Sequence, residues 1–91
     1  MTYLLVRHKV KNYAAWKVVF DEDAAARKAA GEKSSRVLHV AGDPNEIVVL
    51  CEWDSVARAR QFMQPTRSDM AAILERAGVL GQPEVLLLEN Y

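Results

Sequence analysis

A run of apolar residues, 47–51, lies near the middle of the chain. Both parities of this run are apolar, so a strand formed by it needs cover on both faces. We therefore predict a central strand over residues 47–53, with Asp54 or Ser55 as the N-cap of the helix that follows. The other elements are expected to pack around this strand.

The residues before the central strand predict a strand, a long helix and a second strand. Half of the residues at 3–10 are aliphatic or β-branched, over the length of a strand. After the capping residue Asn12, apolar side chains recur at three- and four-residue spacing, which predicts one helix to Ala30 with Gly31 as its C′ residue. A strand over 36–41 follows, and the turn residues at 42–45 join it to the central strand as an antiparallel hairpin.

The residues after the central strand predict two helical segments and a last strand. Apolar residues recur at helical spacing over 56–63, and Pro65 ends that helix. Residues 66–69 resemble a capping box and open a second segment, which Gly78 closes. The run at 84–89 is apolar on both parities and is the last strand.

The predicted order of elements, βαββαβ, is that of a ferredoxin-like α+β fold, a four-stranded antiparallel sheet with helices on one face. Residues 1–91 form a single domain in this interpretation. The face without helices would leave about 15–30 kcal/mol of apolar burial unused. That exceeds the net stability of a small domain, about 5–15 kcal/mol. We therefore predict a homodimer in which two sheets pack face to face, with the helices outside.

Composition narrows the classes of partner and compartment. Twelve basic and twelve acidic residues give a net charge of zero, and no basic cluster appears, so nucleic acid is not expected as a partner. The apolar run at the N-terminus is too short for a signal peptide or a membrane span. Cys51 is the single cysteine, which favours a reducing, cytoplasmic setting and a buried structural thiol.

Short motifs spread over the whole chain resemble a known group of proteins. They are the turn at 43–45, the strand exit at 52–54 and the sequence 77–79 before Pro83. In these motifs the chain resembles the dimeric α+β barrel superfamily, and its antibiotic biosynthesis monooxygenase-like branch in particular. The resemblance implies the ferredoxin-like fold and the dimer. The histidine that often lies in the second helix of the monooxygenase-like members is absent here, where residues 61–63 are Gln, Phe and Met.

The resemblance also implies that a pocket lies between the helices and the sheet. Its expected lining is Tyr13, Trp16, Phe20, His8, His39, Arg36 and Trp53. Trp16 and Phe20 are interpreted as core residues in preference to an aromatic clamp around a ligand. His8 is either half-buried at the end of the sheet or part of the lining, and the first is favoured. His39 is the best candidate for a catalytic acid or base.

Two functions remain open from the sequence, and whether the protein is an enzyme is left undecided. The first is a dimeric protein that holds an apolar small molecule between helices and sheet without chemistry of its own. The second is a cofactor-independent monooxygenase or isomerase acting on a hydrophobic aromatic substrate. No cofactor and no metal site are predicted, because the two histidines lack metal-binding spacing. Glu52 is expected to form an ion pair at the rim of the sheet with Arg36 or Arg7.

Overall fold

The computed structural model of the chain describes residues 1–63 and 70–91. Its elements in chain order are β1 (Thr2–Val10), α1 (Tyr13–Glu22), α2 (Ala24–Ala30), β2 (Glu32–Val40), β3 (Asp43–Trp53), α3 (Val56–Phe62), α4 (Met70–Arg76) and β4 (Val79–Glu89). Pro65 and the predicted capping box at 66–69 lie outside the described residues. No helix in the described part of the chain is both long and apolar enough to cross a membrane.

The four strands form one antiparallel sheet in the order β2-β3-β1-β4, with the helices on one side. The predicted ferredoxin-like α+β fold is confirmed. Strand β3 pairs with β2 and with β1, so the prediction that the run at 47–51 is central is also confirmed. The two middle strands are β3 and β1, and the edges are β2 and β4.

The first helix is divided, contrary to the prediction of one helix to Ala30. Helix α1 ends at Glu22, Asp23 has φ −86° and ψ 0°, and α2 begins at the next residue. Aspartate is a poor helix former because its carboxylate competes for backbone donors, and acidic residues also fill the two positions before Asp23. Gly31 ends α2 as predicted, at a φ of 125°. A Cβ at that position would lie 2.6 Å from Oδ1 of Asp54, so the close approach of the β3–α3 connection also requires glycine.

Three strands are longer than predicted, because they begin in residues for which the sequence predicts a loop or a turn. Strand β2 begins at Glu32 instead of residue 36, and β3 begins at Asp43 instead of residue 47. Strand β4 begins at Val79 instead of residue 84 and contains Gly81 and Pro83. A proline is tolerated there because β4 is an edge strand with one unpaired side.

Side-chain alternation gives the sheet two different faces. The inner face, toward the helices, carries the buried residues Leu4, Ile47, Val49, Cys51 and Trp53. The outer face carries the alternate residues of each strand. Among them, Leu38 is 45% exposed, Leu86 is 46% exposed and Leu88 is 39% exposed. Leu87 pairs with Leu4 and therefore lies on the inner face.

Candidate functional site

A cavity of about 120 Å³ lies between the inner face of the sheet and the helices. The sheet forms its floor through Leu4, Val6, His8, Val49, Cys51 and Trp53. The helices cover it with Trp16, Val19, Phe20, Arg27, Phe62 and Ile73. Most of these side chains are apolar, so the cavity offers few hydrogen-bonding groups, and their identity decides what the cavity can hold.

His8 belongs to β1 and contributes an imidazole to the cavity floor. It is only 7% exposed, and its ring lies 5.6 Å from the ring of Trp16, centroid to centroid. Neither ring nitrogen has a hydrogen-bond partner among the described residues. Burial lowers the pKa of His8 below its ordinary value of 6.5, and the nearby charge of Glu46 opposes this in part. The imidazole is therefore neutral at pH 7, with one nitrogen able to donate and the other able to accept.

This position of His8 corrects the favoured interpretation of the sequence, which had it half-buried at the end of the sheet. The strand order supplies the reason. Strand β1 is a middle strand, so His8 has β3 on one side and β4 on the other, with α1 above it.

Aromatic rings from α1 and α3 cover the two ends of the cavity. Trp16 and Phe20 stack with their centroids 4.9 Å apart and their planes at 19°. Trp53 packs against Phe62 at 5.3 Å, and the indole Nε1 of Trp53 is buried with no hydrogen-bond partner among the described residues. Trp16, Phe20 and Trp53 are thus brought together around the cavity, as core residues that also line it.

A buried ion pair in the cavity wall was not predicted as part of the site. Nε of Arg27 donates to Oε2 of Glu32 at 2.9 Å, and Nη1 donates to the carbonyl oxygen of Phe20 at 2.8 Å. The guanidinium carbon also lies 3.7 Å from the centroid of the Phe20 ring. The signal in the sequence is that Arg27 falls in the apolar stripe of the first helix, where a basic residue needs a buried partner.

Cys51 lies beside this pair and remains a protonated thiol. Burial raises the pKa of Cys51 to about 12, and the neighbouring Glu32 adds to the increase. The thiolate is therefore unavailable at neutral pH, in agreement with the predicted structural role. The described residues contain no cluster of three or more His, Cys, Asp or Glu side chains that suits a metal ion.

The remaining predicted site residues lie elsewhere. His39 is exposed on the edge strand β2, with Nδ1 3.0 Å from the carbonyl oxygen of Val40. It lines a separate shallow depression with Tyr13, which is 40% exposed. Arg36 pairs with Leu50 and lies on the outer face, near Glu52. The structure does not bring His39, Tyr13 or Arg36 into the cavity.

The ion pair expected for Glu52 is not found among the described residues. Arg7 lies 3.7 Å from Glu46 instead, Nε to Oε2. Glu46 lies on the outer face two residues from Val48, the strand partner of Arg7. Glu52 is instead opposite Tyr3, at the far end of the sheet.

Comparison with solved structures supports the fold. SnoaB, a cofactor-independent oxygenase from Streptomyces nogalater, superimposes with a TM-score of 0.77 over 99% of this chain and 92% of that chain, at 22% identity. ActVA-Orf6, a monooxygenase of Streptomyces coelicolor in complex with nanaomycin D, gives a TM-score of 0.67 over 99% and 87%, at 18% identity. An antibiotic biosynthesis monooxygenase gives 0.69 over 100% and 99%, at 16% identity. This chain has the antibiotic biosynthesis monooxygenase fold. No protein-family model and no curated protein sequence matches it.

The antibiotic biosynthesis monooxygenase fold positions the cavity but does not define its chemistry, because one fold hosts many functions. The chemistry depends on the side chains at the cavity. The polar groups are the neutral imidazole of His8 and the indole N–H of Trp53, and the charged groups are Asp23 and the ion-paired Arg27. The other walls are mostly apolar. His8 can therefore exchange a hydrogen bond in otherwise mostly apolar surroundings.

Proposed function

We propose that the protein binds a small aromatic molecule in the cavity, with a hydroxyl group of the ligand hydrogen-bonded to His8. The observation that carries the proposal is that both ring nitrogens of this buried histidine lack a hydrogen-bond partner within residues 1–63 and 70–91. A buried polar group without a hydrogen bond costs about 1–3 kcal/mol. A ligand hydroxyl would remove that cost for one of the two nitrogens, by donating to the unprotonated one or by accepting from the protonated one.

The volume of the cavity restricts the size of the ligand. A dry cavity of about 150 Å³ with apolar walls binds benzene, whereas sites for drug-sized ligands measure about 300–1,000 Å³. The cavity here, at about 120 Å³, belongs with the first class. A single ring therefore fits best, and a molecule with several fused rings would have to extend beyond the cavity.

The second candidate is a cofactor-independent oxygenase acting on a hydroxylated aromatic substrate. It is favoured by the fold shared with SnoaB and by the desolvated, neutral His8, which would accept the substrate proton. In a monooxygenation of this type, one atom of O₂ enters the substrate and the other leaves as water with two substrate hydrogens.

The low pKa of His8 limits that second candidate to acidic substrates. An ordinary phenol, like the tyrosine side chain, has a pKa of about 10. Burial keeps the pKa of His8 below 6.5, so proton transfer from such a phenol is uphill, at about 1.4 kcal/mol for each unit of pKa difference. Holding the hydroxyl by a hydrogen bond requires no such transfer. The site therefore supports binding ahead of oxygenation.

Binding of phenol and toluene tests the proposal, because toluene carries a methyl group of similar size where phenol carries the hydroxyl. We expect the wild type to bind phenol about 2- to 10-fold more tightly than toluene, the worth of one net hydrogen bond. His8→Leu should abolish this preference and leave toluene binding in place. Isothermal titration calorimetry measures both affinities.

His39→Gln is the matched control, since it alters the exposed histidine and should preserve the preference for phenol. Equal affinities for phenol and toluene in the wild type, or no binding of either, would contradict the proposal. Oxygen uptake with an acidic hydroxylated aromatic, read on wild type and His8→Leu, separates the two candidates. Uptake by the wild type that His8→Leu abolishes would favour the oxygenase.

We further propose that the outer face is covered by a second copy of the chain. Its exposed leucines are Leu38 at one edge of the sheet and Leu86 and Leu88 at the other. Leu50 and Leu5 lie between them on the same face. Large apolar surfaces on a folded domain mark association sites. The charges around it favour a second copy, because Arg7 stands opposite Glu84 on the same face. A face that carries both signs complements its own image across a twofold axis.

Light scattering at micromolar concentration tests this dimer, and we expect about twice the chain mass of 10.2 kDa. Leu86→Arg should dissociate it, because an unpaired charge buried in an interface costs several kcal/mol. The control is Val18→Arg, which introduces the same charge at an apolar residue of α1 that is 58% exposed. A wild type with the mass of one chain would contradict the dimer.

A further inference from the structure

A second depression, which we call the vestibule, lies between α1 and α4. Its volume is about 350 Å³, larger than the cavity, and it is lined by Val19, Glu22, Asp23, Ala72, Ile73 and Arg76. Three of these side chains are charged and three are apolar. The vestibule thus has a mixed polar and apolar lining.

The vestibule and the cavity share part of their walls. Val19, Asp23 and Ile73 line both spaces. The shared wall contains Asp23, the point at which the first helix is interrupted. The two spaces are therefore neighbours, divided by side chains that belong to both linings.

An ion pair connects α1 and α4 across the vestibule. The guanidinium of Arg76 donates to the carboxylate of Glu22, two residues separated by 54 positions in the chain. Both side chains are exposed, at 57% and 54%. Exposed ion pairs are weak and depend on salt, so this one can open without disrupting the core.

We infer that the vestibule is the entrance to the cavity and that the Glu22–Arg76 pair is a latch that holds α1 against α4. The latch is independent of which molecule enters, so the inference extends beyond the proposed ligand. It assigns the two charged residues a role in the rate of access, while the shape of the cavity sets which molecule remains bound.

Quenching of tryptophan fluorescence by acrylamide measures this access without any ligand. Trp16 and Trp53 are the two tryptophans of the chain, both are buried, and both line the cavity. Arg76→Gln removes the latch and should raise the quenching constant by about 1.5- to 5-fold, the effect expected for an exposed ion pair. In the wild type, 1 M NaCl should produce a similar increase, because it shortens the screening length to about 3 Å.

Two further variants separate a latch from a general effect on the fold. Lys9→Gln breaks an exposed ion pair between Lys9 and Asp43, away from the cavity, and should leave quenching at the wild-type value. Exchange of the two charges, Glu22→Arg with Arg76→Glu, should restore the wild-type quenching constant and its increase with salt. If Arg76→Gln is quenched no more than Lys9→Gln, or if the exchanged pair remains as accessible as Arg76→Gln, the latch is overturned. Melting temperatures of all variants, recorded in parallel, identify any increase caused by unfolding.

Discussion

His8 and His39 stand in one row of the sheet, on either side of Ile47, and yet their surroundings are opposite. His8 is buried against Trp16 and has no hydrogen-bond partner among the described residues. His39 is exposed and lies within hydrogen-bonding distance of the carbonyl oxygen of Val40. The two side chains have the same chemistry and the same face of the sheet, so neither residue type nor strand parity explains the difference.

The position of each strand in the sheet explains it. His8 belongs to β1, a middle strand, and His39 belongs to β2, an edge strand. The helices cover the middle of the inner face, where an imidazole loses water on all sides, and they leave the edge open. A histidine on a middle strand is thus desolvated and available to a ligand, whereas its neighbour at the edge remains a surface residue.

Substitution of each histidine by lysine should give the largest difference between the two sites in the free energy of unfolding. His8→Lys places an ammonium group in the apolar cavity, and we expect it to lower the free energy of unfolding by about 3–5 kcal/mol, the cost of an uncompensated buried charge. His39→Lys should change that free energy by no more than about 0.5 kcal/mol, as surface substitutions do. Urea denaturation measures both. Equal losses for the two variants would mean that the edge of the sheet is covered in solution.

The contrast between the two histidines also shows how far the sequence leads. Hydrophobic parity places both residues on the inner face, and the order of elements correctly predicts a ferredoxin-like sheet with β3 in its middle. Which strands the helices cover depends on tertiary packing, and the alternation of apolar residues along a strand does not reveal it. His39 was therefore preferred over His8 as the candidate catalytic residue, although the structure places His8 at the cavity and His39 outside it.

Two other features of the site depend on contacts that are distant in the sequence. Arg27 sits in the apolar stripe of the first helix, but its partner Glu32 belongs to the start of β2, which read as loop. The vestibule needs the contact of α1 with α4, residues 54 positions apart at the Glu22–Arg76 pair. The helix break at Asp23 is the local exception, since a run of acidic residues in the middle of a helix already indicates a weak point.

Removal of the imidazole of His8 should change the free energy of unfolding by less than His8→Lys does, and in the opposite direction. His8→Leu replaces two nitrogens that have no partner in the part of the chain that the structure describes, so we expect the free energy of unfolding to rise by about 1 kcal/mol. His39→Leu removes an exposed side chain and should leave that free energy nearly unchanged. Thermal unfolding at pH 7 measures the two changes. A loss of stability in His8→Leu would show that the imidazole has a partner in solution.

The smallest effect concerns pH and sharpens the description of the buried end. Burial lowers the pKa of His8 in the folded protein, whereas the unfolded chain keeps the ordinary value of 6.5. As the pH falls below 6.5, the unfolded state takes up a proton before the folded state does. The stability of the wild type must therefore decrease in this window, by no more than about 1.4 kcal/mol per pH unit for one group. Below the pKa of the folded state both forms are protonated, and this contribution to the slope vanishes.

The wild type and His8→Leu, compared by urea denaturation between pH 7.5 and about pH 5, isolate this contribution. Because His8→Leu lacks the titrating group, we expect its stability advantage over the wild type to increase as the pH falls. Asp43 does not interfere, since the backbone N–H of Asn45 lowers the pKa of this carboxyl below 3.8 and its contribution is lost only at more acidic pH. An advantage that stays constant over the window would contradict the desolvation of His8. An advantage that shrinks would mean that Glu46, which favours the protonated imidazole, outweighs burial in solution.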